Sequence, residues 1–306
     1  MKLYQNTISR RRYRHWTRLE SIAYFIKGIA RELSIASPYF QKQQEKISFA
    51  VLKKRWLKQD GNESYFDFNN AKLPDITDSW EMMRALKMIS EDVFLIPCFF
   101  NDDHSKSVVE LVDPHMEEGP YGYTDGVFDV TVKKGDVVID VGAWIGDFSA
   151  YAASKGATVY AFEPVEQTYK LLCKTSDLNN GQIYAIKKGL SNCDCEMNMS
   201  VDSDGSSIIM KKEGNINEKI SVTSLDIFVE ENKLERVDFI KADIEGAERD
   251  MLRGAFNVLK TFAPKLAICT YHLPDDPEVL EKIIKDANPA YTVVHLSHKL
   301  FAAVIS

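Results

Sequence analysis

The sequence predicts an α/β fold with a mostly parallel β-sheet, helices on both faces and a closing C-terminal antiparallel hairpin. From about Val127 onward, short apolar runs alternate with helical patterns, which is typical of parallel β-α-β units. The run Val137–Val141 leads directly into a glycine turn, as in nucleotide-binding sheets. The last two apolar runs, Tyr291–Leu296 and Phe301–Ile305, are separated by a short polar turn and predict the hairpin.

Composition divides the 306 residues into three expected regions. Apolar residues recur at helical spacing within residues 1–78, and this pattern predicts a basic, mainly helical N-terminal extension. Residues 79–126 predict an α+β connecting region on the substrate side of the molecule. Residues 127–306 carry the alternating strands and helices and are expected to form the ligand-binding domain.

The basic residues are concentrated at the N-terminus. Residues 1–60 contain 14 Lys and Arg against 4 Asp and Glu, although the whole chain has a formal charge of −7. Such a run is usually a solvated face, here on an extension that docks on the acidic remainder. Contact with a phosphorylated partner or peripherally with a membrane stays open, whereas no nucleic-acid partner is expected. The oligomeric state is left open.

The chain is expected to be cytoplasmic. No run of about 18 apolar residues exists, so we expect no membrane-spanning helix. The early apolar stretch Ile22–Ile26 is interrupted by Lys27 and has no small-residue cleavage site, so we expect no secretory signal. Five cysteines, an odd and sparse set, indicate free thiols in a reducing compartment rather than a disulfide framework.

The elements expected before residue 127 follow from periodicity and turn residues. Two amphipathic helical pieces, a turn, a third helix, two strands and a Gly/Pro-rich loop are predicted in this order. Residues 61–78 show no clear period. The bounds are Leu19–Ala30, Ile47–Trp56, Asp60–Asn62, Trp80–Ile89, Val93–Ile96, Val108–Val112 and His115–Asp125.

The elements expected after residue 127 are five strand–helix units with one antiparallel insertion over residues 195–222. The predicted strands are Val137–Val141, Thr158–Glu163, Ile183–Lys187, Val237–Lys241 and Leu266–Tyr271. The predicted helices are Gly146–Lys155, one begun by Pro164, Leu225–Asn232, Ala247–Leu259 and Pro277–Asp286.

The glycine turn indicates the kind of ligand. A dinucleotide-binding turn has glycine at its third position, so that backbone can approach a pyrophosphate. Here Trp144 occupies that position between Gly142 and Gly146, which disfavours NAD and FAD. An adenosine cofactor without phosphates suits the turn better, and we therefore expect S-adenosylmethionine, with its amino-acid end near this backbone.

Acidic and small residues at the following strand ends complete the expected cofactor site. Glu163, seventeen residues after Gly146, can accept hydrogen bonds from two ribose hydroxyls. The loop that follows strand three can read the adenine edge with its backbone. The predicted cofactor residues are Asp140, Gly142, Ala143, Trp144, Gly146, Glu163, Pro164, Gly189, Leu190 and Asp243.

The candidate catalytic residues follow strands four and five. Asp243 and Glu245 end strand four and His272 ends strand five, so they are expected to meet at one sheet edge. His272 can act as general base for a hydroxyl that attacks the methyl in line, because its reference pKa lies near neutrality. The same three residues could instead hold a divalent ion. Without a second ligand cluster we expect no metal, and Cys193-Asp194-Cys195 is too tight for zinc.

Three ordered motifs resemble those of FkbM-type methyltransferases over about residues 120–306. They are Gly135–Ala143, then Val222–Asp226 with Val237–Glu248 and Leu252–Gly254, and last Tyr271-His272 followed by Pro274–Asp276. The resemblance implies a class I, Rossmann-like, S-adenosylmethionine-dependent fold. It also implies O-methylation of a hydroxyl, with sugars of glycans or secondary metabolites as substrates. One departure is Trp144, where the family usually has Asn.

The sequence therefore predicts a cytoplasmic O-methyltransferase that acts on a small-molecule or glycan acceptor. A first alternative is a catalytically inactive module with the same fold that docks partners through its basic arm, which Trp144 would favour. A second alternative is an NAD-dependent oxidoreductase, which the missing third-position glycine disfavours.

Overall fold

The computed structural model describes residues 53, 56–68, 70–75, 121–201, 216–296 and 298–305. The chain divides into two compact units, Met1–Phe66 with Asp75–Phe100 and Asp67–Pro74 with Asn101–Ser306. Several predicted elements lie outside the described residues, namely Leu19–Ala30, Trp80–Ile89, Val93–Ile96 and Val108–Val112. Among the described residues, no helix is both long and apolar enough to cross a membrane.

The first unit contains a β-hairpin where the sequence predicted otherwise. Strands β1 (Leu57–Asp60) and β2 (Glu63–Phe68) pair antiparallel around the Gly61-Asn62 turn. The expectation of a mainly helical extension, with no clear period over 61–78, is wrong for this hairpin, whereas the predicted turn at Asp60–Asn62 is confirmed. Asp60-Gly61 is a strong hairpin signal, but the flanking polar residues hide the alternation that would have identified the strands.

The second unit holds the remaining elements, numbered here along the chain. The strands are β3 (Ala71–Pro74), β4 (Tyr123–Thr124), β5 (Asp129–Val130), β6 (Val137–Val141), β7 (Thr158–Phe162), β8 (Ile183–Ile186), β9 (Gly189–Leu190), β10 (Cys195–Val201), β11 (Ile216–Thr223), β12 (Phe239–Ala242), β13 (Lys265–Cys269), β14 (Tyr291–His295) and β15 (Lys299–Val304). The helices are α1 (Asp147–Ser154), α2 (Glu166–Leu178), α3 (Leu225–Glu231), α4 (Glu248–Arg253), α5 (Phe256–Thr261) and α6 (Asp276–Ala287).

The main sheet has the strand order β14-β15-β13-β12-β6-β7-β8. Its pairings are parallel except those of β15, which runs antiparallel to both neighbours. The predicted mostly parallel sheet and C-terminal hairpin are confirmed. From β6 the chain proceeds in one direction to β7 and β8, and it later returns to place β12 on the other side of β6. Ligands of such sheets bind beyond the strand ends at this switch point.

Helices cover both faces of the sheet, as the two adjacent residues Phe239 and Ile240 show. The Phe239 ring packs on Phe148 of α1, with centroids 5.9 Å apart. Ile240 points the other way, into a core cluster with Met251 of α4 and Leu280 of α6. Side chains alternate across a strand, so β12 is buried on both sides and can place the residues that follow it accurately.

A short strand from before the domain packs against α1 and α2. Strand β3 contacts both helices, and its Lys72 exchanges two hydrogen bonds with Asn179 at the end of α2. The Lys72 N–H donates to Asn179 Oδ1 at 3.1 Å, and Asn179 Nδ2 donates to the Lys72 carbonyl at 2.7 Å. Residues 71–74 therefore belong to the packed domain.

A second, three-stranded sheet has the order β10-β11-β9 and confirms the predicted antiparallel insertion. Cys193 and Cys195 are disulfide-bonded at its start, so the expectation of free thiols throughout is wrong for this pair. Cys173 and Cys269 are free. The Cα atoms of Cys193 and Cys195 lie 5.8 Å apart, and the sequence alone did not predict that the two thiols would be joined.

Three smaller differences concern local structure. The chain at Tyr123–Thr124 forms β4 and pairs with β5, where a loop was expected. The helix after Pro164 begins at Glu166. The predicted helix Ala247–Leu259 is instead two helices, α4 and α5, with a break at Gly254. A Cβ on Gly254 would lie 2.0 Å from the Ser191 carbonyl oxygen, so the chain is tightly packed at this break.

Gly142 joins the turn after β6 to the turn after β12. Its φ is +73°, and a Cβ there would lie 2.1 Å from the Asp243 carbonyl oxygen. The sequence interpretation was that this glycine leaves room for a ligand. The structure gives a different reason, since the space beside it is filled by the backbone of the neighbouring turn.

We expect Gly142→Ala to destabilise the domain by more than left-handed backbone strain alone, which is about 1–2 kcal/mol. The added methyl group would displace the Asp243 backbone as well as strain φ. Urea unfolding of the variant measures the loss of free energy.

Gly181→Ala is the matched control, because Gly181 has a φ of +71° and a Cβ there would meet nothing within 4 Å. Equal destabilisation of the two variants would show that the contact with Asp243 adds nothing.

Candidate active site

The turn after β6 is fixed against the end of β7. The N–H groups of Gly142 and Ala143 both donate to the Phe162 carbonyl, at 3.1 and 2.9 Å. Gly146, with a φ of +86°, precedes α1, and a Cβ on it would lie 2.8 Å from Leu172 of α2. These contacts place the turn directly beside Glu163.

Glu163 is buried and already accepts three hydrogen bonds from the protein. Its Oε1 accepts from the Val165 N–H at 3.0 Å and from Thr168 Oγ1 at 2.8 Å. Its Oε2 accepts from the Trp144 N–H at 3.0 Å, an N–H directed there by a left-handed φ of +50°. A carboxylate has about four acceptor positions. One position therefore remains for a ribose hydroxyl, where the sequence interpretation had allowed two.

The surroundings of Glu163 favour its protonated form. Burial raises its pKa from 4.5 to about 7, although the hydrogen bonds from Val165, Thr168 and Trp144 act in the opposite direction. The folded protein therefore binds a proton at Glu163 over a pH range in which the unfolded chain has lost it.

Asp140 does not face the open end of the site. Its Oδ2 accepts a hydrogen bond from Ser149 at 2.6 Å, and its Oδ1 lies 3.2 Å from the Lys241 ammonium. Lys241 also donates to the Gly142 carbonyl at 2.7 Å. Asp140 therefore supports the turn from behind, through a buried ion pair between β6 and β12.

The sequence analysis did not identify Lys241 or Asp147 as residues of the site. Burial alone would lower the pKa of Lys241, but Asp140 and Asp243 outweigh it and raise this pKa above its usual range. Burial raises the pKa of Asp147 to about 6, with Lys241 opposing and Asp140 adding to the shift. A lysine inside the apolar run Phe239–Ala242 was the available signal, since buried lysines need a partner.

The predicted adenine side lies next to Pro164. Gly189 is in β9, and a Cβ on it would lie 3.8 Å from Pro164 Cγ and 3.2 Å from Val222. Leu190 is buried, with its side chain in the core cluster, so only its backbone is available to a ligand.

Asp243 is the centre of a polar cluster at the end of β12. Its Oδ2 accepts a hydrogen bond from the Tyr121 hydroxyl at 2.7 Å, and its Oδ1 accepts one from Tyr271 at 3.2 Å. Burial alone would raise its pKa, but the Lys241 charge and the Tyr121 hydrogen bond outweigh it and lower this pKa. Asp243 is therefore an ionised carboxylate at neutral pH.

His272 lies among three carboxylates. Its Nε2 is 3.5 Å from Asp243 Oδ1 and 3.8 Å from Glu245 Oε2, and its Nδ1 is 3.0 Å from Glu248 Oε1. Burial alone would lower its pKa, but the contact with Glu248 and the charges of Asp243 and Glu245 raise this pKa to about 9. The ring thus keeps its proton at neutral pH in this environment, unlike the near-neutral histidine assumed from the sequence.

Glu248, Tyr121 and Lys299 complete this cluster and were not predicted. Glu248 is fully buried, and its two oxygens accept the N–H groups of Ile244 and Gly246, at 2.8 and 3.0 Å. The Tyr121 ring has the Lys299 and Lys241 ammoniums 4.9 and 5.1 Å from its centroid. Glu248 ends the motif Val237–Glu248, whereas no local sequence pattern identified Tyr121 or Lys299, which come from distant parts of the chain.

Residues 140–290 match the family described as the methyltransferase FkbM domain. Residues 140–290 therefore form an FkbM methyltransferase domain. This domain is an S-adenosylmethionine-dependent methyltransferase, as the sequence motifs predicted, and the class of an NAD-dependent oxidoreductase is not supported. The donor set fits the cofactor, because Glu163 retains an acceptor position beside the turn that follows β6.

Matches to individual proteins cover between 43% and 72% of this chain and between 60% and 68% of the matched proteins. Hexuronic acid methyltransferase AglP of Haloferax volcanii is 27% identical over 165 residues, which are 54% of this chain and 68% of that protein. Methyltransferase 1 of Beauveria bassiana is 28% identical over 158 residues, covering 43% of this chain and 64% of that protein. A solved methyltransferase FkbM from Methylobacillus flagellatus KT is 20% identical, with a TM-score of 0.45, and the match covers 72% of this chain and 60% of that one.

Glu163 gives the domain a predicted pH dependence of stability. Its folded pKa is raised, so its favourable contribution is complete below about 4.5 and is lost as pH rises through about 7. Relative to Glu163→Gln, we expect the wild type to lose on the order of 3 kcal/mol of unfolding free energy across this window. Denaturant unfolding at a series of pH values measures the difference, and a constant difference between the two proteins would contradict the assignment.

Proposed function

We propose that the protein transfers a methyl group from S-adenosylmethionine to a hydroxyl of a sugar or glycan. Asp243 carries the proposal, because it belongs to both halves of the site. Its backbone carbonyl packs against the Gly142 turn on the cofactor side. Its carboxylate lies among Tyr121, Tyr271 and His272 on the acceptor side. An acceptor held by this carboxylate would therefore lie next to the cofactor turn.

On the cofactor side, Glu163 would accept a hydrogen bond from a ribose hydroxyl through Oε2. Gly142, Ala143, Trp144 and Gly146 would form the turn that borders the amino-acid end, with Asp140 supporting it through Lys241. Pro164, Gly189 and Leu190 would border the adenine. When bound, the cofactor supplies an electrophilic methyl group on a positively charged sulfur.

On the acceptor side, Asp243, Glu245 and His272 are the proposed catalytic residues. Asp243 would accept the hydrogen bond of the attacking hydroxyl, orient its oxygen and draw off its proton. His272 and Glu245 lie within 4 Å of one another beside it and would hold the acceptor in place. Most of the acceleration would then come from alignment of the reacting groups.

The proposed acceptor class rests on the polarity of this edge and on one relative. Carboxylates, tyrosine hydroxyls and an imidazole offer many hydrogen bonds, which suits a polyhydroxylated sugar. The relative from Haloferax volcanii is named for a hexuronic acid. Hydroxyls of secondary metabolites remain the second acceptor class, and a cytoplasmic location stays a prediction.

We expect Glu163→Ala to weaken S-adenosylmethionine binding by about 1–3 kcal/mol, because the hydrogen bond to the ribose is lost and the buried hydroxyl is left without a partner. Isothermal titration calorimetry of the full chain measures the affinity.

Glu166→Ala is the control, because Glu166 is nearby but exposed and paired with Lys170 and Lys187. If Glu163→Ala bound the cofactor as tightly as this control, Glu163 would not hold the ribose.

We expect label from methyl-labelled cofactor to appear on hydroxyls of uronic acids or neutral sugar glycosides in a panel that also contains phenolic metabolites. Asp243→Asn should lower kcat/KM for the accepted sugar by about 10²–10⁴-fold, since the amide cannot take up the hydroxyl proton.

Asp238→Asn is the matched control, because Asp238 immediately precedes β12 at the opposite end of the strand and pairs with Arg236. Transfer only to phenols would overturn the sugar assignment. Equal activity of the Asp243 and Asp238 variants would overturn the role of Asp243.

A further inference from the structure

The His272 ring is surrounded by more negative charge than it can satisfy. Glu248 lies 3.0 Å from Nδ1, and Asp243 and Glu245 approach Nε2 at 3.5 and 3.8 Å. Three carboxylates thus converge on one imidazole. Of the two nearby ammoniums, Lys241 is bound to Asp140 and the Gly142 carbonyl, and Lys299 lies over the Tyr121 ring.

Nε2 of His272 is a buried polar atom without a hydrogen bond. The side chain is only 2% exposed, and neither carboxylate oxygen near Nε2 is within hydrogen-bonding distance. Nδ1 lies 3.0 Å from Glu248 Oε1 and is therefore in direct contact with it, although the geometry is not that of a hydrogen bond. Buried nitrogens are nearly always satisfied, so Nε2 is a nitrogen available to a ligand.

We propose that Nε2 of His272, Asp243 and Glu245 are the ligands of a divalent cation that displaces the Nε2 proton, with Glu248 holding the ring from its other side. Oxygen and imidazole ligands lie about 2.0–2.2 Å from such an ion, so two of them can be up to about 4.2 Å apart. The distances of 3.5 and 3.8 Å from Nε2 to the two carboxylates fall within this limit.

Glu248 supplies the feature that distinguishes a ligand site from an acidic cluster. Metal-binding histidines usually donate their second N–H to a carboxylate, which fixes the tautomer and aims the other nitrogen at the metal. Glu248 is fixed for this task by the N–H groups of Ile244 and Gly246. Its contact with Nδ1 leaves Nε2 directed at Asp243 and Glu245.

The donor set indicates the class of ion. One imidazole with two carboxylates suits Mn²⁺ or Zn²⁺, and Mg²⁺ is compatible if water fills the remaining positions. Asp243, Glu248 and His272 offer ligand atoms that lie within 4.8 Å of one another, so one proposed carboxylate ligand, the imidazole and the acid that orients the ring already lie together. If the proposed function holds, the ion would bind an acceptor oxygen beside Asp243.

The test is a titration of the full chain with Mn²⁺, without cofactor or acceptor, followed by calorimetry and electron paramagnetic resonance. We expect one bound ion. Glu248→Gln should weaken binding by about 10–100-fold, as removal of an orienting carboxylate does. Glu245→Gln, at the most exposed ligand, should weaken it by at least about tenfold, and His272→Gln should abolish it.

Glu281→Gln is the matched control, because Glu281 contacts His295 at 2.6 Å on the exposed side of α6. It should bind Mn²⁺ as the wild type does. Absence of binding at about 1 mM Mn²⁺, or equal binding by wild type, Glu245→Gln and His272→Gln, would overturn the site. Binding without any methyl transfer would instead count against the proposed function and leave the ion site intact.

Discussion

The buried contact between the ends of β6 and β12 organises this domain. Lys241 on β12 pairs with Asp140 on β6 and donates to the Gly142 carbonyl, while Gly142 packs against the Asp243 backbone. A buried ion pair adds little net stability, but removing one partner costs about 3–5 kcal/mol because the other charge is left alone. The contact thus enforces one register between the cofactor turn and the acceptor residues.

Electrostatics divide the site into two parts. At Glu163, burial dominates and favours the protonated acid. At Asp243, the Lys241 charge and a tyrosine hydrogen bond overcome burial and keep the carboxylate ionised. His272 experiences the opposite balance, since surrounding acids overcome burial and favour positive charge. At the ends of β12 and β13, three carboxylates therefore gather around one imidazole.

The sheet could be predicted because its strands are buried on both faces and read as apolar runs between turn residues. Residues that follow those strands, such as Glu163 and Asp243, could be placed for the same reason. The hairpin at 57–68 was missed because its alternation is weak, and Lys241 was missed because an apolar run concealed its charge. Tyr121 contacts Asp243 across 122 positions of sequence, and no local pattern reports such a contact.

Strand β3 and Tyr121 have a practical implication for anyone who isolates the catalytic part of the chain. The family match begins at Asp140, in the middle of β6. A fragment cut at that boundary would lose three of the five residues of a central strand, the tyrosine that donates to Asp243, and the segment that exchanges hydrogen bonds with Asn179. Recombinant fragments should therefore start before Ala71. The bounds of a family match show which residues relatives share, and they do not show where the folded domain begins.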